Sequence, residues 1–308
     1  MKGTCFMNII LFAGQGAQYA GMGKDIFEQI PDTGYVFEAG SDILGYDLKK
    51  VCFDESFEEL NRSLYTQPAV MAVSLLCFEA AKKNGLTFSA AAGHSLGEYA
   101  AMAASGMLSV EDTFRVIKAR AEAFDHACKK TDGAMAAVMK ISPEKVEEIC
   151  KETEGYVVPV NYNSPMQTVI AGERKAVESA LEKFSELKAR TALLKTESAF
   201  HSDIMKPASE EFYENIKNIK FQTPNCRFFS NLKGCELTDF SDMPSLLRDH
   251  IISPVKFTDE LVCIKAAGFD KFIELGPGKT LTGLVKKTLE DITAFNIDSM
   301  TALEKAEF

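Results

Sequence analysis

The chain has 308 residues, 46% of them hydrophobic and 25% charged, a profile that excludes disorder and fibrous repeats and allows a sizeable core in one large domain or two. With 34 Lys+Arg against 44 Asp+Glu the net charge is −10. Neither nucleic acid nor an anionic membrane is an expected partner, and an anionic substrate needs a dedicated cation.

The start, Met1 to Phe6, is followed by Asn8-Ile9-Ile10-Leu11-Phe12-Ala13. That apolar run is too short for a secretory leader with its flanks or for a membrane span, and it reads as a buried first strand. It feeds Gly14-Gln15-Gly16-Ala17-Gln18, a turn-prone loop with two glycines, and then a helix. Pro68 to Lys82 is helical and apolar. Ser89-Ala90-Ala91-Ala92-Gly93 reads as a tightly packed strand of small residues, and Glu98 to Ala104 as a helix. Ser109-Val110-Glu111-Asp112 opens a longer helix in the manner of a capping box. Val110, Phe114, Ile117, Ala121, Phe124 and Cys128 then keep one apolar face at helical spacing.

The polar run Lys129-Lys130-Thr131-Asp132-Gly133 leads into a smaller unit. A strand Ala134–Met139 comes first, then a helix Ser142–Thr153 opened by Ser142-Pro143. Strands Tyr156–Val160 and Thr168–Ala171, a helix Lys175–Leu187 and a strand Arg190–Leu194 complete it. The order β-α-β-β-α-β is the ferredoxin-like arrangement, expected to fill residues 131–197 as an insertion. Residues 1–130 and 198–308 form the larger domain, with Phe228-Phe229-Ser230 and Lys271-Phe272-Ile273-Glu274-Leu275 as further strands, the second leading to the turn Gly276-Pro277-Gly278. Gly155 to Gly172 lacks charge, but Pro159, Asn161, Asn163, Pro165 and Gln167 exclude a spanning helix. A cytoplasmic protein is expected.

The eight cysteines (Cys5, Cys52, Cys77, Cys128, Cys150, Cys226, Cys235 and Cys263) are scattered, with no Cys-x-x-Cys pair and no histidine at metal-ligand spacing. Reduced, mostly buried thiols and no metal are expected.

Gly93-His94-Ser95-Leu96-Gly97 is a Gly-x-Ser-x-Gly pattern lying where a strand ends and an Ala-rich helix begins. Glycines on both sides permit the tight turn that lifts a serine hydroxyl clear of the backbone, and the helix N-terminus behind it favours developing negative charge. Ser95 is therefore the candidate nucleophile; the alternative is a serine that merely caps the helix. Its base comes from four histidines. His94 adjoins Ser95 and should point away. His126 sits near Asp125 on the exposed end of the long helix, as a solvated surface residue. Of His201 and His250, the first follows the inserted unit, where the chain re-enters the larger domain and a cleft is expected. His201 is favoured, and since no acidic residue stands out to orient it, a main-chain carbonyl is the expected orienter.

Gly14-Gln15-Gly16-Ala17-Gln18, Thr66-Gln67-Pro68-Ala69, Gly93-His94-Ser95-Leu96-Gly97-Glu98-Tyr99, Asn161-Tyr162-Asn163-Ser164-Pro165, Phe200-His201-Ser202 and Gly276-Pro277-Gly278-Lys279 occur in this order. Together they resemble the malonyl-CoA:acyl-carrier-protein transacylases, a pattern shared with acyltransferase domains of fatty acid and polyketide synthases. The resemblance implies an α/β-hydrolase-like large domain with an inserted ferredoxin-like small domain. It implies that Ser95 takes a malonyl group from malonyl-CoA and yields it to the phosphopantetheine thiol of acyl carrier protein. His201 acts as base and then acid, backbone N–H groups of Gln15 and Leu96 form the oxyanion hole, and no cofactor is used. It points to Arg120 for the malonyl carboxylate, where amphipathicity alone leaves Arg120 and Lys118 equivalent at the edges of the apolar stripe. Asn163 and Gln67 match positions near the acyl pocket, although both also suit ordinary turns and caps.

Two departures stand out. Ala13 replaces the usual proline before Gly-Gln-Gly. His250 stands where glutamine is common, at a position implied to support the catalytic histidine through its carbonyl. A second imidazole so close could perturb His201 or replace it as the base. Phe200 before His201 matches the malonyl-type signature. A trans-acting acyltransferase serving a polyketide synthase is the nearest alternative and a serine acyl-hydrolase a more distant one. A monomer is expected.

Overall fold

The computed structural model describes residues 8–308; Cys5, expected as a thiol, lies outside them. Ten strands occur among these residues: β1 (Asn8–Phe12), β2 (Ala90–Gly93), β3 (Gly133–Met139), β4 (Val157–Ser164), β5 (Gln167–Glu173), β6 (Arg190–Leu193), β7 (Arg227–Ser230), β8 (Cys235–Leu237), β9 (Lys271–Leu275) and β10 (Thr293–Ile297). They form two sheets. The larger has the order β10-β9-β1-β2-β7-β8, parallel except for β8, which pairs antiparallel with β7 at one edge.

A parallel sheet needs cover on both faces, and the apolar run of β1 supplies both. Ile10 and Phe12 pack with Ala91, Phe228 and Ile273 in one core, while Ile9 and Leu11 pack with Ala92, Phe229 and Phe272 in a second. The first core takes most of the helix Ser63–Lys83, which alone among the described residues is long and apolar enough to cross a membrane, and most of it is buried inside the protein. That helix begins at Ser63, five residues before the expected start. Pro68 is accommodated in its second turn, and the Tyr46 hydroxyl lies 3.5 Å from the Leu64 carbonyl that a proline cannot serve. The helix Val110–Cys128 starts as its sequence implies, with the Ser109 side chain accepting from the Asp112 N–H.

The smaller sheet is antiparallel with the order β4-β5-β3-β6, and the helices Pro143–Lys151 and Arg174–Glu186 fall between β3 and β4 and between β5 and β6. This is the ferredoxin-like unit. Its two-residue period divides the burial. Ala134, Ala136 and Val138 of β3 face its own helices, whereas Met135 and Ala137 belong to the larger core. β4 runs to Ser164 rather than ending at Val160, with register shifts at Pro159/Asn161 and Tyr162/Ser164. The fold is thus the two-domain α/β architecture expected.

The expectation of uniformly reduced thiols is corrected at one pair. Cys235 on β8 and Cys263 on the helix Phe257–Ala266 form a disulfide, with Cα atoms 5.4 Å apart. The edge strand packs beside that helix, which brings together cysteines 28 residues apart in sequence. Cys52, Cys77, Cys128, Cys150 and Cys226 are free.

Candidate active site

The parallel pairing of Phe12 with Gly93 sets the loop after β1 beside the turn after β2, in the crevice outside the carboxyl ends of the strands. At that turn Ser95 has φ 51°, in the left-handed region, two residues before the helix Gly97–Ala104 begins. The flanking glycines are required by space. A Cβ on Gly93 would overlap the Gly97 backbone, and one on Gly97 the Phe12 carbonyl.

Ser95 Oγ lies 2.7 Å from His201 Nε2. His201 is itself left-handed at φ 61° and only 4% exposed. Its Nδ1 is 3.0 Å from the His250 carbonyl and 3.1 Å from that of Ser253. Both are acceptors, so Nδ1 carries the proton and Nε2 is left to accept from the serine. Burial, and then the Arg120 charge, push the His201 imidazolium down to about 3, and the ring is neutral at neutral pH. The His250 ring stands 5.3 Å from that of His201, centre to centre. What His250 turns toward His201 Nδ1 is its carbonyl.

A Cβ on Gly14 would come within 2.5 Å of the His94 carbonyl, so the two loops touch. The backbone N–H groups of Gln15 and Leu96 find no acceptor among the described residues. The Gln15 side chain is turned aside, its Nε2 3.1 Å from Ser63 Oγ. His94 points away from Ser95 and places Nε2 2.7 Å from Asn163 Oδ1, at the end of β4. A cavity of about 440 Å³ opens here between the sheets, lined by Gln15, His94, Asn163, Leu194, Thr280 and Leu284 among others.

Arg120 is 3% exposed, and its guanidinium lies 4.2 Å from the Phe124 ring and 5.4 Å from that of Tyr99. Its Nε has no hydrogen-bond partner, and among the described residues no ion pair reaches it. A buried cation left in that state is poised for an anion. Phe124 in turn packs against Phe200, the residue before His201. Lys118 faces elsewhere, donating to the Ile43 carbonyl. Gln67, 0% exposed in the second turn of the helix Ser63–Lys83 rather than in a loop, has neither amide atom paired. His126 is exposed and contacts Glu211 at 2.8 Å, while Asp125 is buried and pairs with Arg62 and Lys129. Among the described residues no group of three His, Cys, Asp or Glu side chains could hold a metal.

Sequence reasoning missed Asn231, a fully buried residue whose side-chain oxygen accepts the Ser95 N–H at 2.5 Å. It follows β7 directly, and an asparagine after a strand carries no signal beyond that of a turn.

Residues 9–305 match the acyl transferase domain family. Over 300 residues the chain is 35% identical to a malonyl CoA-acyl carrier protein transacylase of Bacillus subtilis, an alignment covering 96% of this chain and 95% of that one. The chain belongs to the malonyl-CoA:acyl-carrier-protein transacylase family. The solved structure of a family member from Clostridium perfringens superposes with a TM-score of 0.92 at 36% identity, covering 97% of this chain and 95% of that one. A malonyl-transacylase in complex with its type II polyketide synthase acyl-carrier protein superposes with a TM-score of 0.93 at 32% identity, over 97% and 98% of the two chains. The transacylase family is thus represented here over nearly its whole length.

Proposed function

We propose that this transacylase moves a malonyl group from malonyl-CoA to the phosphopantetheine thiol of an acyl carrier protein in two ester-exchange steps. The observation that carries the reading is the Ser95–His201 pair at 2.7 Å set near a buried Arg120 that, among the described residues, makes no ion pair and leaves Nε free. In the first step Ser95 Oγ gives its proton to His201 Nε2 and bonds to the thioester carbonyl carbon. The carbon–sulfur bond then breaks, and coenzyme A sulfur takes the proton from His201. In the second step the carrier thiol gives its proton to His201 and attacks the Ser95 ester, and the serine oxygen leaves with that proton. The free N–H groups of Gln15 and Leu96 would hold the carbonyl oxygen as it becomes negative. No step calls for a metal or a redox cofactor.

Arg120 grips the malonyl carboxylate in a planar fork, with Asn163 at the cavity wall and Gln67 offering a buried amide with neither atom paired. Bound substrate would also act on the base. Burial is the larger cause of the low His201 value and the Arg120 charge the second; a carboxylate on Arg120 cancels only the second, so malonyl binding raises the imidazole in part. The catalytic domain comprises residues 1–130 and 198–308, and the small domain of residues 131–197 lines the cleft through Ala137, Asn163 and Val169. A cytoplasmic enzyme is inferred.

A polyketide carrier is the second reading, favoured by the likeness to the polyketide transacylase complex. A plain hydrolase is disfavoured, because an uncharged acyl chain leaves the Arg120 desolvation unoffset. The test is malonyl transfer from malonyl-CoA to purified carrier proteins of either pathway. Carrier-dependent release of coenzyme A with malonyl-carrier formed is expected, whereas release of free malonate at the same rate without carrier would make the protein a hydrolase.

A further inference from the structure

β2 and β7 pair in parallel through Ala90 with Arg227 and Ala91 with Phe228. Extending that register three residues puts Asn231 opposite His94, where the regular strands have ended. In a parallel ladder, the residue opposite His94 would donate to the Gly93 carbonyl and accept from the Ser95 N–H. The Asn231 side chain makes both bonds. Its Nδ2 donates to Gly93 O at 2.7 Å and its Oδ1 accepts from Ser95 N at 2.5 Å. A side-chain amide thus replaces a peptide group one step beyond the sheet, strapped across the turn that holds Ser95 at its left-handed φ.

Asn231 is held in turn. Its own N–H donates to Glu98 Oε1 at 2.6 Å, and Nδ2 donates a second bond to Glu260 Oε2 at 2.6 Å. Its carbonyl accepts the Lys256 N–H at 3.0 Å. Glu98 closes a circuit toward the base, since Oε2 is 3.2 Å from His250 Nδ1 and the His250 carbonyl faces His201 Nδ1. Asn231, Glu98 and Glu260 are fully buried. Burial holds Glu98 up to about 8 and pushes Glu260 well above its ordinary value, disfavouring the charged form of both.

We infer that Asn231, anchored by Glu98, is a positioning residue that continues the β2–β7 ladder and fixes the Ser95 hydroxyl against His201. This rests on the assignment of Ser95 as nucleophile and His201 as base. Asn231 touches neither substrate nor the reacting atoms, so its loss should appear in kcat and not in substrate binding. A misplacement of the order of 1 Å can cost about 10²-fold.

The experiment measures kcat, KM for malonyl-CoA and Ser95 acylation by intact mass in wild type, Asn231→Ala, Asn231→Asp, Glu98→Ala and Glu98→Gln, with thermal unfolding of each. Asn231→Ala should lower kcat by roughly 10- to 100-fold while KM stays within about threefold. Asn231→Asp, which keeps the acceptor but loses the donor to Gly93, should be at least as damaging. Glu98→Gln retains an oxygen for the Asn231 N–H and should restore about tenfold or more of what Glu98→Ala loses. Those two variants keep the test open if the Asn231 variants do not fold. Unchanged kcat in a folded Asn231→Ala, or equal losses in the two Glu98 variants, would overturn the inference alone. Malonylation that persists in Ser95→Ala would instead overturn the active-site assignment beneath it.

Discussion

At the carboxyl ends of β1 and β2 the backbone has little freedom: Gly93 and Gly97 leave no room for a Cβ, and Ser95 and His201 both stand in the left-handed region. Across the cleft, β4 brings Asn163 to His94 on a strand interrupted by two register shifts. Strain is concentrated at Ser95 and His201, the proposed nucleophile and base, and irregular pairing on the strand that faces them. The contrast teaches that a reaction centre needs only one of its walls to be exact in geometry. Losses at the Ser95–His201 pair should therefore fall on kcat, and losses on the small-sheet side on KM.

The largest effect expected, apart from removing the nucleophile, is that of His201→Ala, which should lower transfer by roughly 10²- to 10⁴-fold, the usual worth of a positioned base. His250→Gln should stay within about threefold, because the carbonyl facing His201 is retained. The reverse order in a steady-state assay would relocate the base to His250.

Arg120→Ala comes next. A hydrogen bond to a charged group is worth about 1.5 to 3 kcal/mol, and at about 1.4 kcal/mol per decade kcat/KM for malonyl-CoA should fall roughly 10- to 150-fold. Acetyl-CoA, lacking the carboxylate, should lose much less, and Lys118→Ala should leave the malonyl-to-acetyl ratio alone. Equal losses for both acyl groups would make Arg120 a structural arginine.

The pH dependence sharpens the same side of the comparison. The proposed role of His201 as base requires the neutral ring, and burial, then the Arg120 charge, hold its imidazolium down to about 3. The acylation kcat/KM should thus keep its value from pH 8 down to about pH 5. Arg120 is the second cause of that depression, so in Arg120→Ala the acid limb should move to higher pH. A limb near the ordinary imidazole value in wild type would contradict the buried, neutral His201. The smallest effect is expected across the cleft: Asn163→Ala should raise KM for malonyl-CoA by up to about tenfold, with kcat within about threefold. A kcat loss as large as that of His201→Ala would erase the division between the two walls.

Much of this was legible in the residues. The apolar run Asn8–Phe12, the small-residue strand ending at Gly93 and the Ser109 cap each carry their own local cause, and the βαββαβ order stands out because its strands and helices alternate in period. Other parts depend on distant contacts. The start of the helix at Ser63 is hidden because Pro68 reads as a first turn, and only the surrounding core keeps it inside a helix. The strand beyond Val160 carries the turn formers Asn161 and Asn163; pairing of Asn161 with Val169 and of Tyr162 with Thr168 and Ser164 with Gln167, on either side of Asn163, keeps the chain extended. The Cys235–Cys263 pair arises from the packing of an edge strand on a helix, and Asn231 gains its role from a register that no local pattern encodes.

The central claim is that Ser95 carries the acyl group, and mapping the covalent label tests it most directly. Protein mixed with malonyl-CoA and quenched in acid should gain one malonyl group, found by peptide mass spectrometry on Ser95, lost in Ser95→Ala and discharged on adding carrier protein. A label on one of the free thiols, or one that survives in Ser95→Ala, would contradict the account.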